Sequence, residues 1–103
     1  MPVFHLTTPD GWAAAQAAGQ VAPPSLAEEG FIHCSTDEQL AGTIDRHFAG
    51  VDELRLLELD PALDAELRWE EGRPGQAFPH LYRPLTLEEV ARVVTWRRGD
   101  ELS

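Results

Sequence analysis

Gly30-Phe31-Ile32-His33-Cys34-Ser35-Thr36 carries an apolar strand into a run of residues that donate, accept, titrate and attack. Phe31 and Ile32 are too apolar for a surface loop, and so abrupt a change of character suits a strand end that faces a cleft. On a strand the side chains alternate, so His33 and Ser35 share one face and Cys34 points to the other, toward the core. Ser35, Thr36 and Asp37 each offer a side-chain oxygen to cap a following helix, whose unpaired N–H groups would then lie beside His33 and suit an anionic or carbonyl group. The alternative is a core histidine next to an ordinary cap.

Outward from this stretch, strands and capped helices alternate. Val3 to Thr7 reads as a strand with His5 and Thr7 on one face. Thr8-Pro9-Asp10 opens a helix that Gly19 stops. Gln20 to Pro24 is extended, and Ser25-Leu26-Ala27-Glu28 has the form of a capping box. Leu40, Ile44 and Phe48 recur every four residues, which predicts an amphipathic helix over Asp37–Phe48 with Arg46 and His47 on its solvated side. Leu54 to Asp60 is the clearest strand, ended by Pro61. Leu67 to Glu71 is a shorter one, Gly72 to Gln76 a mobile loop, and Phe78 to Pro84 an extended segment with His80 and Tyr82 on a common face. Thr86-Leu87-Glu88-Glu89 is another capping box, before a closing strand over Val90–Arg98. These signals predict one α+β domain spanning residues 1–103, with mostly antiparallel strands around a cleft and helices packed on the sheet.

The composition narrows the function. The chain has 103 residues, 43% of them apolar, enough for a core without disulfides or metal. Eight arginines and no lysine stand against 18 carboxylates, a formal charge of −10. That balance predicts no nucleic-acid or anionic-membrane partner, and the missing lysine excludes Schiff-base and P-loop chemistry. Arg97 and Arg98, adjacent on a strand, point to opposite faces and make a poor phosphate clamp. The single cysteine and the absence of a leader or a membrane-length apolar run predict a cytoplasmic protein. A monomer or weak homo-oligomer acting on a small-molecule ligand is expected.

Pairs spaced by two, His5/Thr7, His33/Ser35 and His80/Tyr82, predict that these side chains line one pocket together with Glu70. Glu70 and Glu71 offer one carboxylate to each strand face, and Trp69 would supply an apolar wall that raises a neighbouring pKa. Three imidazoles on separate strands admit a metal-dependent hydrolase as a third reading, but no H-x-x-x-H or C-x-x-C spacing supports it, and no metal is expected. Cys34 cannot pair with its neighbour His33 as a nucleophile and base.

His5-Leu6-Thr7, Trp12, Ser25 through Ser35 with Gln39, Leu57-Glu58-Leu59-Asp60, Arg68-Trp69-Glu70 and Phe78-Pro79-His80-Leu81-Tyr82 together resemble a small bacterial family, domain of unknown function 952. That family is similar in fold to ADP-ribosyltransferases, which split NAD in a cleft between two small antiparallel sheets. His5-Leu6-Thr7 follows the superfamily's first motif with leucine in place of glycine. Phe31-Ile32-His33-Cys34-Ser35 resembles the second, and Glu70 or His80 would fill the third. The resemblance implies an ADP-ribosyltransferase or NAD glycohydrolase with NAD as substrate. Glu70 would stabilise the ribosyl cation, His33 or His80 would move the proton, and Ser35 and His5 would orient amide and ribose, with Thr7, Trp69 and Tyr82 as binding residues. A non-catalytic nucleotide-binding module is the alternative.

Overall fold

Thr8, Pro9 and Gly19 bound the first helix as their local chemistry dictates. In the computed structural model, which describes residues 1–102, β1 (Val3–Thr7) is followed by α1 (Pro9–Ala18), where Thr8 Oγ1 accepts from the Gly11 amide and Gly19 adopts a left-handed φ of 82°. Then come β2 (Gln20–Val21), α2 (Pro24–Glu29), β3 (Ile32–His33), β4 (Ser35–Thr36) and α3 (Leu40–His47). The second half is β5 (Glu53–Leu59), β6 (Arg68–Arg73), β7 (Gln76–Leu81), β8 (Leu85–Thr86) and β9 (Val90–Arg97). Short 3₁₀ turns at Asp37–Gln39, Pro61–Glu66 and Leu87–Glu89 join elements. The chain is thus α+β, and every strand pair is antiparallel.

Two main sheets result. One has the order β4-β1-β5-β9, the other β3-β7-β6, and β2 pairs with β8 in a small third sheet. β3 and β4 belong to different sheets, and Cys34 is the single residue between them. Its amide donates to the Pro79 carbonyl at 3.0 Å, which keeps the junction tied to β7.

β5 is buried on both faces, and this organises the core. Leu54 and Leu56 join Phe4, Leu6, Trp96 and the α3 residues Leu40 and Ile44. Leu57 and Leu59 join Val3, Ala15, Ile32 and Leu81 in a second cluster. Each fully buried leucine contributes about 1.5–3 kcal/mol over an exposed one, so this strand fixes the helix on one side and the second sheet on the other.

Three local expectations fail for identifiable reasons. Ser25 does not cap: Pro23 takes the N-cap position and sets the helix start two residues earlier, and Ser25 Oγ donates to the Phe31 carbonyl at 2.9 Å. The helix predicted over Asp37–Phe48 begins as a 3₁₀ turn, because the Thr36 amide donates to Gln39 Oε1 and Gln39 Nε2 reaches the Ala77 carbonyl at 2.8 Å. The segment from Gly72 to Gln76 is no loop but the end of the β6–β7 hairpin. Arg73 pairs with Gln76 around a two-residue turn in which Gly75 has φ 78°, a conformation suited to glycine after proline.

Candidate functional site

The register of β3 against β7 sets His33 directly opposite His80, with ring centroids 5.4 Å apart. β1 brings His5 to the same place, where its Nδ1 lies 2.8 Å from the His33 carbonyl oxygen. A carbonyl only accepts, so Nδ1 carries the hydrogen and Nε2 of His5 is the free acceptor. Burial pushes the His5 imidazole below its usual pKa, outweighing the opposing effect of that hydrogen bond, so it stays neutral.

Each of the other two imidazoles is turned to a carboxylate. His80, 6% exposed, donates through Nδ1 to Glu70 Oε1 at 2.7 Å, a diagonal pair across β6 and β7. Tyr82 donates its hydroxyl to the same oxygen. These two donors, Tyr82 first, hold the Glu70 carboxyl below the ordinary carboxylate range, and the bond raises the Tyr82 phenol in turn. His33 Nε2 meets Glu29 Oε2 at the end of α2. Phe31 stacks on His80 with centroids 4.0 Å apart.

Two cavities adjoin this cluster. The first, about 340 Å³, is lined by His5, Leu6, Thr7, Pro23 and Phe48 among others, and the second, about 300 Å³, by Phe31, Arg46, Arg73, Phe78 and His80 among others. His33, Ser35, Thr43 and His47 wall both. Ser35 and Thr43 hydroxyls lie 2.8 Å apart. Gly11 permits the packing beside Thr7, because a Cβ there would collide with Thr7 Oγ1.

His5, Thr7, His33 and Ser35 therefore share the first cavity, and His33, Ser35 and His80 the second, while Glu70 and Tyr82 line neither but bond at the back of His80. The expected Trp69 wall is absent. Trp69 pairs with Pro79 on the strand face opposite Glu70 and is 45% exposed, and the Glu70 pKa moves down rather than up. The capped turn at Asp37 likewise withholds the free N–H groups expected beside His33. Among the described residues no three His, Cys, Asp or Glu side chains converge as a metal would require, so the three-imidazole hydrolase finds no support in the geometry. Cys34, 3% exposed, has its thiol pushed up to about 12 by burial, and its Sγ lies 3.9 Å from the Ile32 carbonyl oxygen. It is a core residue, as the alternation predicts.

Glu29, Phe31, Thr43, Arg46, His47 and Arg73 had no place at the site in the sequence reading, which set Phe31 in the strand and Arg46 and His47 on a solvated helix face. Thr43 and His47 carried one signal: spaced by four on a helix, they share a face.

The pattern described as Protein of unknown function (DUF952) matches residues 6–93. The chain belongs to that family. Its fold is similar to the X-ray crystal structure of protein CC0527 from Caulobacter crescentus, 36% identical, with a TM-score of 0.83 over 92% of this chain and 85% of that one. The solution NMR structure of CC0527 gives 38% identity and a TM-score of 0.76, over 90% of this chain and 82% of that one. No curated protein matches the chain. Among the described residues of this DUF952 member no helix is long and apolar enough to cross a membrane.

Proposed function

We propose that the cleft binds NAD or a close nucleotide relative and breaks the nicotinamide N-glycosidic bond, passing ADP-ribose to an acceptor or to water. The observation that carries this reading is the Glu70–His80 hydrogen bond at 2.7 Å. It fixes the proton on Nδ1 of a buried imidazole and leaves Nε2 as a proton acceptor. Loss of neutral nicotinamide from NAD leaves a ribosyl cation, which a fixed carboxylate stabilises more than the ground state. Glu70 is ionised at neutral pH and lines neither cavity, so its charge acts on the developing cation through His80, whose imidazole it holds and polarises. His80 takes the proton that the attacking hydroxyl or water loses. His5, neutral with a free Nε2, and Ser35 orient ribose and amide. Two antiparallel sheets flanking a cleft agree with the split-sheet, ADP-ribosyltransferase-like layout that the sequence resemblance implies.

A second reading, binding without turnover, is favoured by Leu6. This side chain walls the first cavity where the resembled superfamily has a glycine that lets nicotinamide approach the backbone.

Incubation with NAD while following released nicotinamide decides between them. Release that falls in Glu70→Gln, His80→Ala and His33→Ala supports the enzyme. Nucleotide-induced thermal stabilisation without release supports the binding module, and release unchanged by all three substitutions removes the mechanism.

A further inference from the structure

The arginines of this acidic chain are mostly accounted for by partners. Arg55, Arg83, Arg92 and Arg97 each pair with a glutamate. Arg98 donates to the carbonyls of Phe48 and Val51, and Arg68 lies over the Tyr82 ring. Among the described residues, Arg46 and Arg73 alone have neither a carboxylate nor an aromatic partner, and both line the second cavity. His33, His47 and His80 stand on the same wall. The one carboxylate there is Glu71, whose Oε2 accepts from the Gly75 amide at 3.1 Å.

Arg73 is held rather than free. Its Nη2 donates to the Gly42 carbonyl at 3.2 Å, and a Cβ on Gly42 would come within 3.1 Å of that nitrogen. Glycine in α3 thus lets the guanidinium lie against the helix backbone. Its Nε is buried with no partner, an arrangement that is unfavourable for a donor group unless the guanidinium is completed by an acceptor. Arg46 sits exposed one helical turn further on, at the same cavity. A pinned planar fork with a second, exposed guanidinium lining the same cavity is a geometry that can hold an oxyanion.

We propose that this cavity is an anion site that takes a phosphate or pyrophosphate group between Arg46 and Arg73, so that the ligand of the cleft is a phosphorylated molecule. The inference rests on the reading of the cleft as the ligand site and names where the charged part of the ligand lies. The overall negative charge opposes long polyanions over a Debye length, whereas a small anion inside the cavity meets the local cations.

The test is thermal unfolding with inorganic pyrophosphate, ADP and adenosine, each against potassium chloride at matched ionic strength. Pyrophosphate and ADP are expected to raise Tm by about 5 °C at roughly tenfold excess over Kd, and adenosine alone is not. Arg46→Gln, at an exposed position, leaves Tm in chloride unchanged and weakens pyrophosphate about tenfold; Arg73→Gln does the same to binding. Equal shifts in chloride and pyrophosphate, or pyrophosphate shifts intact in both variants, overturn the proposal. A pyrophosphate shift without nicotinamide release would sink the enzyme reading and leave the anion site standing, and release with no pyrophosphate shift would do the reverse.

Discussion

His33 and His80 face each other across the β3–β7 ladder, yet each is turned to a different carboxylate, His33 to Glu29 and His80 to Glu70. The two imidazoles are therefore oriented independently, and substitutions at one carboxylate should leave the other histidine in place.

Glu70 is the more informative of the two. Tyr82→Phe removes the donor chiefly responsible for its depressed carboxyl, so the Glu70 side-chain carbon, followed by NMR, is expected to titrate at higher pH than in the wild type. Glu70→Gln is expected to lower nicotinamide release by about 10²-fold or more, with Tyr82→Phe less severe. An unmoved Glu70 titration in Tyr82→Phe would contradict the hydrogen-bond assignment.

A second prediction concerns acid stability through His5. Its folded pKa lies below the value near 6.5 of the unfolded chain, so the unfolded state takes the proton more readily. Stability is fully present above about 6.5 and declines as pH falls from there toward the depressed folded value. His5→Asn keeps a nitrogen donor for the His33 carbonyl and removes the titration. Urea midpoints between pH 7 and pH 5 should fall in the wild type and fall less in the variant; equal slopes would refute the assignment.

At lower pH the Arg83 cluster takes over. Arg83 bridges Glu66 and Glu89, and its guanidinium is the main cause that holds the Glu89 carboxyl down to about 2. Because that folded value is depressed, the stabilisation is present above the ordinary carboxylate pKa of about 4.5 and is lost as pH falls toward 2. Arg83→Met is expected to flatten the acid limb of Tm against pH in that window. A limb of unchanged steepness would show that Glu89 is not coupled to folding.

Gly42→Ala separates folding from binding. The alanine gains up to about 1 kcal/mol of helix propensity, while its Cβ, 3.1 Å from Arg73 Nη2, makes the guanidinium give way by a few tenths of an ångström and weakens a hydrogen bond worth about 1 kcal/mol. Tm in chloride is expected to change by only a few degrees, with the pyrophosphate shift reduced. Pyrophosphate binding as tight as in the wild type would place the anion elsewhere.

What the sequence revealed follows the range of the forces involved. Thr8-Pro9 and Thr86 with Glu89 were legible because a cap is settled within four residues, and the Leu54–Asp60 strand because its apolar run meets Pro61. The opposed faces of His33 and Cys34 follow from strand alternation alone. The Glu70–His80 pair was not legible, since it depends on the β6–β7 register, which the Pro74-Gly75 turn sets; that dipeptide signals a tight hairpin as readily as a loop. Ser25 misled because the two prolines before it fix the backbone that its hydroxyl would cap. Arg46 and His47 are exposed on α3, as the amphipathic pattern predicts; the contact of Arg73 with Gly42 of the same helix depends on the long-range packing of the β6–β7 hairpin.

The passage of the chain between the two main sheets through Cys34 alone makes this thiol a reporter of how often they separate. Closed, it is sheltered from reagents and poorly ionised. Its modification by a small disulfide therefore proceeds at the frequency of local opening, multiplied by the intrinsic reactivity of an exposed thiol. A ligand that bridges the sheets should slow that labelling in proportion to its occupancy, giving a clock for the cleft that needs no catalytic turnover.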